Sequence, residues 1–325
     1  MIPHVITHPT RPEILHFSYD FDDKTTKVRH RALVESQWRD LAELCIDRLL
    51  RYPQARGEDW FVASMPVREF GSPAFVERWS WGGLEAEEKQ TIEHARFGLM
   101  ALGVSPSTEL LIADRYFPSD DDPLAGARVL RRSDRSIQGE MEINAGMSSP
   151  IFDEAESRVA MVLYDQGGCS ANVYALAEGK ATLLAELAER QIVTDFESGC
   201  VAFLPDERLL VWSTQNWDFG GQVGLYSIAT GTADFVVEVP TATELDGDED
   251  DFSHLFENTE RAVVVDGQHA LVGSVGAVAR VDLADGSIEA IEIPGAGAIV
   301  QVRRCGDQVI ALDHENQIHL VPGAS

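Results

Sequence analysis

Residues 174–179 read Tyr174-Ala175-Leu176-Ala177-Glu178-Gly179, and the motif returns three more times in the C-terminal half of the chain. The other copies are Tyr226-Ser227-Ile228-Ala229-Thr230-Gly231, Val281-Asp282-Leu283-Ala284-Asp285-Gly286 and Ile318-His319-Leu320-Val321-Pro322-Gly323. Each copy has the alternation of a β-strand and ends at a glycine, which adopts the positive φ of a tight hairpin turn without steric cost. The copies predict a series of similar hairpins.

Apolar segments flank the copies in a regular way. A strand-like segment precedes each copy, at residues 159–163, 209–212, 270–272 and 309–312, and another follows the first three, at 182–184, 235–239 and 288–293. The turn glycines are 52, 55 and 37 residues apart. A repeat of this length, with insertions at 165–170, 215–222 and 241–253, is typical of propeller blades.

The fourth copy lacks a following strand, because only two residues come after its glycine. An open sheet edge leaves backbone groups unpaired, so the ring is expected to be completed by another part of the chain. Residues 14–21 alternate cleanly, with Leu15, Phe17, Tyr19 and Phe21 on one face. We therefore expect this N-terminal segment to supply the missing strand.

The repeated unit of two strands, an (Leu/Ile)-(Ala/Val)-x-Gly turn and a further strand resembles the blades of quinoprotein-type and related β-propellers. The resemblance covers residues 150–325, and a weaker copy runs from 109–113 to 137–143. The chain lacks the tryptophan docking motifs of quinoproteins and the Gly-His…Trp-Asp signature of WD40 blades. The resemblance thus implies a mainly β fold of about five or six four-stranded blades, without a cofactor. An open β-solenoid or a two-sheet sandwich is the alternative.

The first hundred residues show a different pattern. Apolar residues recur at spacings of three to five over residues 32–50 and again over 85–102, which predicts two helices. Residues 60–63 and 75–79 are predicted to be strands. The sequence therefore favours an N-terminal mixed α/β region, residues 1–104, followed by a β-repeat domain, residues 105–325. Residues 182–190 could also form a helix, but their start, residues 182–184, is assigned to a strand because of its place in the repeat.

The charge of the chain is strongly negative. It has 26 basic and 54 acidic residues, a net charge of −28, and residues 101–325 contribute 13 of the basic and 38 of the acidic ones. Such a surface repels nucleic acid and anionic lipid, so neither is expected as a partner. It attracts basic proteins and speeds their association. The alternative is that the charge serves only solubility.

The densest acidic segment spans residues 244–251. Counted from Asp246, carboxylates stand at positions 1, 3 and 5 (Asp246, Asp248 and Asp250) and at position 12 (Glu257), as in Ca²⁺-binding EF-hand loops. Asp251 occupies position 6, where the sharp turn of that motif requires glycine. A solvated loop between blades is the favoured interpretation, and a Ca²⁺ site is the alternative.

Two further segments have the composition of a binding surface. Residues 119–123 carry three consecutive aspartates, and residues 212–221 place aromatic side chains beside glycines, as contact hot spots often do. We expect the partner-binding residues to be Asp246, Asp248, Asp250, Asp251, Asp120, Asp121, Asp122, Trp217 and Phe219.

Catalytic and metal-binding patterns are weak. Cys169 lies among glycines but has no neighbouring basic residue to lower its pKa. His314 and His319, five residues apart, point to opposite faces of a strand and cannot share a metal there. The four widely spaced cysteines, Cys45, Cys169, Cys200 and Cys305, together with the absence of a signal peptide, favour the cytoplasm.

These features favour a non-enzymatic acidic protein that captures and neutralises a basic partner, such as an immunity protein or antitoxin acting on a cationic toxin or effector. Two alternatives stay open. One is a propeller enzyme, a metal-assisted hydrolase with ligands that converge on the central channel. The other is a scaffold subunit that holds several partners in a larger assembly.

Overall fold

A computed structural model describes residues 4–20, 23, 25–65, 74–83, 85–92, 102–115, 126–143, 146–148, 150–165, 168–191, 198–214, 221–239, 264–265, 267–274 and 276–324. These residues form seven antiparallel sheets that are the blades of a β-propeller. The propeller predicted from the repeated motif is thus confirmed. No helix in the described ranges has the length and apolar character needed to cross a membrane.

The first three blades follow one another along the N-terminal part of the chain. Blade 1 contains β1 (His4–Thr7), β2 (Glu13–Asp20), β3 (Thr25–Val34) and β4 (Gln37–Ile46). Blade 2 contains β5 (Leu49–Arg56), β6 (Asp59–Met65), β7 (Ala74–Ser80) and β8 (Glu88–Ile92). Blade 3 contains β9 (Leu102–Val104), β10 (Leu110–Arg115), β11 (Gly126–Arg131) and β12 (Ile137–Glu142).

The other four blades contain the repeated motif. Blade 4 has β13 (Gly146–Met147), β14 (Ile151–Phe152), β15 (Arg158–Asp165), β16 (Gly168–Ala177) and β17 (Lys180–Gln191). Blade 5 has β18 (Ser198–Phe203), β19 (Arg208–Thr214), β20 (Gly221–Ser227) and β21 (Ala233–Val239). Blade 6 has β22 (Val264–Val265), β23 (His269–Gly273), β24 (Ala277–Asp282) and β25 (Ile288–Glu292). Blade 7 has β26 (Ile299–Cys305), β27 (Gln308–Asp313) and β28 (Ile318–Leu320).

The first strands of the blades meet around the centre. β1 contacts β5 and β26, β5 contacts β9, and β22 contacts β26, so the last blade lies against the first. The hydrophobic core lies between neighbouring blades. For example, Phe17 of blade 1 packs edge-on against Trp60 of blade 2, which stacks on Trp79 at a ring distance of 5.0 Å. All three rings are almost completely buried.

The glycine of the repeated motif has the predicted backbone conformation. The φ angles are 76° at Gly179, 70° at Gly231, 74° at Gly286 and 68° at Gly323. At the first copy Glu178 also has a positive φ, of 52°, and the two residues join β16 to β17 by the shortest kind of hairpin turn. The motif therefore marks the end of the third strand of blades 4 to 7.

The prediction of five or six blades is wrong, because the N-terminal third contributes two complete blades. Residues 32–50, predicted as a helix, belong to β3, β4 and β5. The turn between β3 and β4 lies at Glu35 and Ser36, which both have positive φ although neither is glycine. The outer strand β4 also has an exposed apolar residue, Leu41, next to positions that are half-buried. Apolar residues on both faces hide the period of two that identifies a strand.

The second predicted helix, residues 85–102, is wrong where the structure describes it. Glu88–Ile92 is the outer strand of blade 2, and Leu102 begins the first strand of blade 3. Residues 93–101 lie outside the described ranges. The strands predicted at residues 60–63, 75–79 and 182–184 are confirmed as parts of β6, β7 and β17.

The N-terminal strand that was predicted to complete the last blade lies inside blade 1 instead. Residues 13–20 form β2, which pairs with β1 and β3 inside blade 1 rather than with blade 7. Its alternation reflects the burial of Leu15, Phe17 and Tyr19 against blade 2. The boundary expected at residues 104/105 falls between β9 and β10, which are paired strands of blade 3.

Candidate protein-interaction face

The strand order of the blades gives the propeller two different faces. Successive strands are antiparallel, so the connections from first to second and from third to fourth strand lie on one face, called here the turn face. The connections from second to third strand, and from each blade to the next, lie on the opposite face, called here the loop face.

The turn face consists of short connections that the structure describes at many positions. Residues 8–12, 57–58, 105–109, 153–157, 178–179 and 204–207 all lie there. The connection at Asp153 shows how such a turn is ordered: its Oδ1 accepts hydrogen bonds from the backbone N–H groups of Ser157 (2.8 Å) and Arg158 (2.9 Å). Burial raises the pKa of Asp153, but the hydrogen bonds from Arg158 and Ser157 lower it more, so the pKa lies below its usual value.

Ion pairs on the turn face connect one blade to the next. Arg11 Nη1 of blade 1 lies 2.8 Å from Glu58 Oε2 of blade 2, and Arg132 Nη1 of blade 3 lies 2.7 Å from Glu88 Oε2 of blade 2. Arg158 of blade 4 pairs with Glu207 of blade 5 in the same way. Several carboxylates of this face are thus bound to arginines of neighbouring blades.

Four other carboxylates of the turn face are exposed. Glu109, Glu154, Glu178 and Asp307 belong to four different connections, in blades 3, 4, 4 and 7. No ion pair among the described residues includes any of these four side chains. These four carboxylates are therefore free of the arginine contacts that hold Glu58, Glu88 and Glu207.

The residues predicted to bind a partner belong to three connections whose strand ends lie on the loop face. Residues 116–125 connect the ends of β10 and β11, residues 215–220 connect β19 and β20, and residues 240–263 connect β21 to blade 6. All these strand ends lie on the loop face. The predicted residues themselves lie outside the described ranges: Asp120, Asp121, Asp122, Trp217, Phe219, Asp246, Asp248, Asp250, Asp251 and Glu257. Their roles in partner binding or Ca²⁺ binding stay predictions.

The loop-face end of blade 2 contains a buried carboxylate that sequence reasoning missed. The side chain of Glu77 has no exposed surface, and its Oε2 lies 2.7 Å from Nη2 of Arg48, the residue that precedes blade 2. Its Oε1 accepts a hydrogen bond from Ser64 Oγ (2.6 Å) and lies 3.3 Å from Lys89 Nζ. The signal in the sequence was a glutamate on the same face of β7 as the aromatic residues Phe75 and Trp79.

The negative charge of Glu77 is stabilised by its neighbours. Burial raises its pKa, but the hydrogen bonds from Arg48 and Ser64 and the nearby positive charges lower it more, so Glu77 is ionised at neutral pH. All its neighbours are structural partners within blade 2 or next to it. Trp79 Nε1, for example, donates to Oε2 across 3.2 Å. This cluster orders the end of the blade and leaves no room for a ligand on the carboxylate.

The described residues show little chemistry suited to catalysis. Within these ranges, no group of three or more His, Cys, Asp or Glu side chains is arranged to hold a metal ion. His319 Nε2 lies 2.7 Å from Asp313 Oδ2, and His314 Nδ1 accepts a hydrogen bond from the backbone N–H of Ala298. Burial raises the pKa of the Cys305 thiol to about 12, which disfavours the nucleophilic thiolate.

Comparisons with known proteins identify the fold. No family model matches the chain, and no curated protein is similar to it in sequence. The WD40 β-propeller domain of Doa1 is similar in structure, with a TM-score of 0.62 and 13% sequence identity over 98% of this chain and 92% of that one. The computationally designed Ika8 protein is also similar, with a TM-score of 0.60 and 11% identity over 99% of this chain and 96% of that one. At such identities the similarity shows the propeller fold alone.

Proposed function

We propose that this protein is a non-enzymatic binding protein that captures a basic protein on its loop face and neutralises it by covering its surface. The supporting observation is the position of the strand ends described above. The three segments singled out by their acidic and aromatic residues all connect strands on the same face of one propeller.

The charge of these segments supports a basic partner. Residues 116–125 and 240–263 together contain eleven acidic residues and one basic residue. Such a concentration of one sign of charge attracts the opposite sign over a Debye length, about 10 Å at 0.1 M salt, and raises the association rate. Asp246, Asp248, Asp250 and Asp251, with Asp120–Asp122, supply the negative charge in this proposal.

Apolar contacts complete the proposed interface. Electrostatic attraction increases the rate of encounter more than it lengthens the lifetime of a complex, which depends on buried anchors. Trp217 and Phe219 lie in the connection between β19 and β20, whose strand ends are on the same face. They are the proposed anchors. The partner is a cationic toxin or effector in the cytoplasm, and the role is that of an immunity protein or antitoxin.

Affinity capture at two salt concentrations tests this function. The tagged protein is incubated with extract of its native host at low salt and again at about 0.5 M salt, where the Debye length is only a few Å. We expect one basic protein in equimolar amount, with recovery reduced by salt. Several proteins in fixed ratio would support the scaffold alternative instead. Recovery of none at either salt would contradict the proposal.

A further inference from the structure

The turn between β1 and β2, on the turn face, is closed by a histidine side chain. His8 is buried, and its Nδ1 accepts hydrogen bonds from the backbone N–H groups of Thr10 and Arg11, each across 3.1 Å. The His8 N–H donates in turn to the carbonyl of Glu13 across 2.9 Å. In other proteins such turns are usually closed by an oxygen of Asn, Asp, Ser or Thr. Here the acceptor is a nitrogen that can take up a proton.

The two hydrogen bonds at Nδ1 assign the protonation state of the ring. A ring nitrogen that accepts hydrogen bonds carries no proton, so His8 in the closed turn is the neutral tautomer with its proton on Nε2. A protonated histidine is a donor at both nitrogens. A proton on Nδ1 would therefore point at the two backbone N–H groups and remove both hydrogen bonds. The closed turn and the protonated ring exclude one another.

Side chains around His8 join this turn to blade 2. The Nε2 atom of His8 lies 3.4 Å from Glu58 Oε2, and Arg11 Nη1 lies 2.8 Å from the same oxygen. The ring of Trp81, which follows β7, stands edge-on to the His8 ring with 4.9 Å between the ring centres. Trp81 N–H donates to the carbonyl of Glu58, so the two residues of blade 2 are themselves connected. Opening of the turn would loosen the contacts of both residues with blade 1.

Blade 1 places further titratable groups beside this contact. Glu13 of β2 has one carboxylate oxygen 3.2 Å from Arg11 Nε and the other 2.9 Å from His30 Nε2 of β3. The His30 ring also stands edge-on to Trp81, on which the His8 ring packs as well. Protonation of His30 leaves its contact with Glu13 in place, because the carboxylate accepts from either form.

Blades 2 and 7 supply the other titratable neighbours. The hydrogen bond from Arg11 lowers the pKa of Glu58, so Glu58 is ionised at neutral pH. On blade 7, Cys305 Sγ lies 3.9 Å from the carbonyl of Glu13, and Asp307 follows two residues later. The Cys305 thiol stays neutral, since its pKa is about 12. Among these neighbours of the turn, only His8 must lose hydrogen bonds when it gains a proton.

Two ring nitrogens at the contact between blades 1 and 2 are buried without a hydrogen-bond partner among the described residues. They are Nε2 of His8 and Nε1 of Trp81. A buried N–H group without an acceptor loses the free energy of its hydrogen bonds to water, and it regains that free energy when the contact opens. The closed contact is therefore poised to open once the bonds at Nδ1 are removed.

We propose that the turn at residues 8–12 is a latch between blades 1 and 2, which proton uptake by His8 opens. With Nδ1 unprotonated the turn is closed, Arg11 binds Glu58, and the indole N–H of Trp81 is covered. With Nδ1 protonated the turn opens and this N–H reaches solvent. The latch lies on the turn face, so it is independent of the partner capture proposed for the loop face.

Nuclear magnetic resonance of the full chain tests the latch while the pH is lowered from about 8 to about 5, the range in which histidine usually changes its charge. The nitrogen shifts of the His8 ring report its protonation, and hydrogen exchange, corrected for its intrinsic pH dependence, reports single amides. We expect the amides of Thr10 and Arg11 to exchange at least about tenfold faster once His8 is protonated. The indole N–H of Trp81 should become exchangeable at the same pH.

A second turn on the same face is the matched control. The amides of Ser157 and Arg158 bond to Asp153 Oδ1, a carboxylate whose pKa lies below its usual value, so these bonds persist over the same pH range. His16 stays mostly neutral there too, since its pKa is about 4. Equally accelerated exchange in both turns would mean a general loosening of the turn face and would overturn the proposal.

Three further results would overturn the latch. One is unchanged exchange of the Thr10 and Arg11 amides while the His8 ring gains its proton. Another is a His8 ring that stays unprotonated down to about pH 5. The third is faster exchange of the two amides with continued protection of the Trp81 indole, which would show that the turn opens without affecting blade 2.

Two substitutions separate the proton of His8 from its role as an acceptor. H8N places an amide oxygen near the position of Nδ1 and closes the turn without a titratable group, so we expect the Thr10 and Arg11 amides to stay protected throughout. H8A removes the acceptor, and these amides should exchange fast even at about pH 8. Thermal unfolding verifies that both variants are folded. Opening by acid that persists in H8N would assign the effect to His30 and Glu13 and contradict the proposal.

Discussion

The two faces of the propeller hold their negative charges in different ways. On the turn face, some carboxylates pair with arginines, as Glu58 does with Arg11 of the neighbouring blade, and others, such as Glu154, are exposed and outside the ion pairs of the described residues. The connection between blades 5 and 6, whose flanking strand ends lie on the loop face, contains eight acidic residues in residues 240–263. In the proposed function, a partner recognises the density of acidic residues in these segments rather than the net charge of −28.

The largest expected difference in stability is between substitutions of two glutamates, one buried and one exposed. E77Q removes a fully buried charge near the loop face and leaves Arg48 and Lys89 without their carboxylate, while E207Q removes an exposed partner of Arg158 on the turn face. We expect E77Q to lower the free energy of unfolding by about 3 to 5 kcal/mol. E207Q should lower it by less than about 1 kcal/mol.

Chemical denaturation of the two variants and the original protein measures this contrast. Both substitutions change one carboxylate to an amide of the same size, so each is the control for the other. Similar losses of unfolding free energy in the two variants would show that the Glu77 cluster stabilises the protein no more than an exposed ion pair does.

Acid should weaken the contact between blades 1 and 7, where the loop-face turn at Asn316 meets His16. Burial lowers the pKa of His16 to about 4, although the hydrogen bond with Asn316 raises it. Unfolded His16 takes up a proton below about pH 6.5, so the unfolded state gains protons first and stability falls as the pH drops from 6.5 to 4. The loss from His16 is on the order of 3 kcal/mol and levels off below pH 4.

The pH dependence of unfolding in the H16Q variant measures this effect. We expect a flatter dependence between pH 6.5 and 4 than in the original protein, with H269Q of blade 6 as the control for removal of a histidine. Buried His4 contributes in the same direction, because burial lowers its pKa as well. An unchanged slope in H16Q would contradict this account of the contact between the two blades.

The smallest expected effect concerns the ion pairs of the turn face. A double-mutant cycle with R158Q and E207Q isolates the interaction between blades 4 and 5, which we expect to be below about 1 kcal/mol and weaker at high salt. Glu207 is mostly exposed, so solvent screens the pair. An interaction energy of several kcal/mol would mean that the turn face is held together by its charges.

Particular residues show how much of this molecule the sequence could predict. The glycines at 179, 231, 286 and 323 identified the propeller, because a positive φ at the end of a strand favours glycine. The turn at Glu35 and Ser36 also has positive φ but no glycine, so residues 32–50 were predicted to be a helix. The Glu77 cluster depends on the approach of Arg48, Ser64 and Lys89, which no local pattern encodes. The acidic segments were recognisable by composition, but only the strand order places their ends on one face.

The central claim is that the loop face captures a basic partner, and a comparison of association rates tests it most directly. D246K/D248K/D250K/D251K reverses four charges in the connection between β21 and β22, and E109K/E154K/E178K/D307K reverses four exposed charges on the turn face. The two variants have equal net charge. With the partner recovered from extracts, we expect the association rate at low salt to fall at least tenfold in the first variant and by less than about threefold in the second. Equal rates in the two variants would contradict the claim, because the partner would then respond to the total charge and not to the loop face.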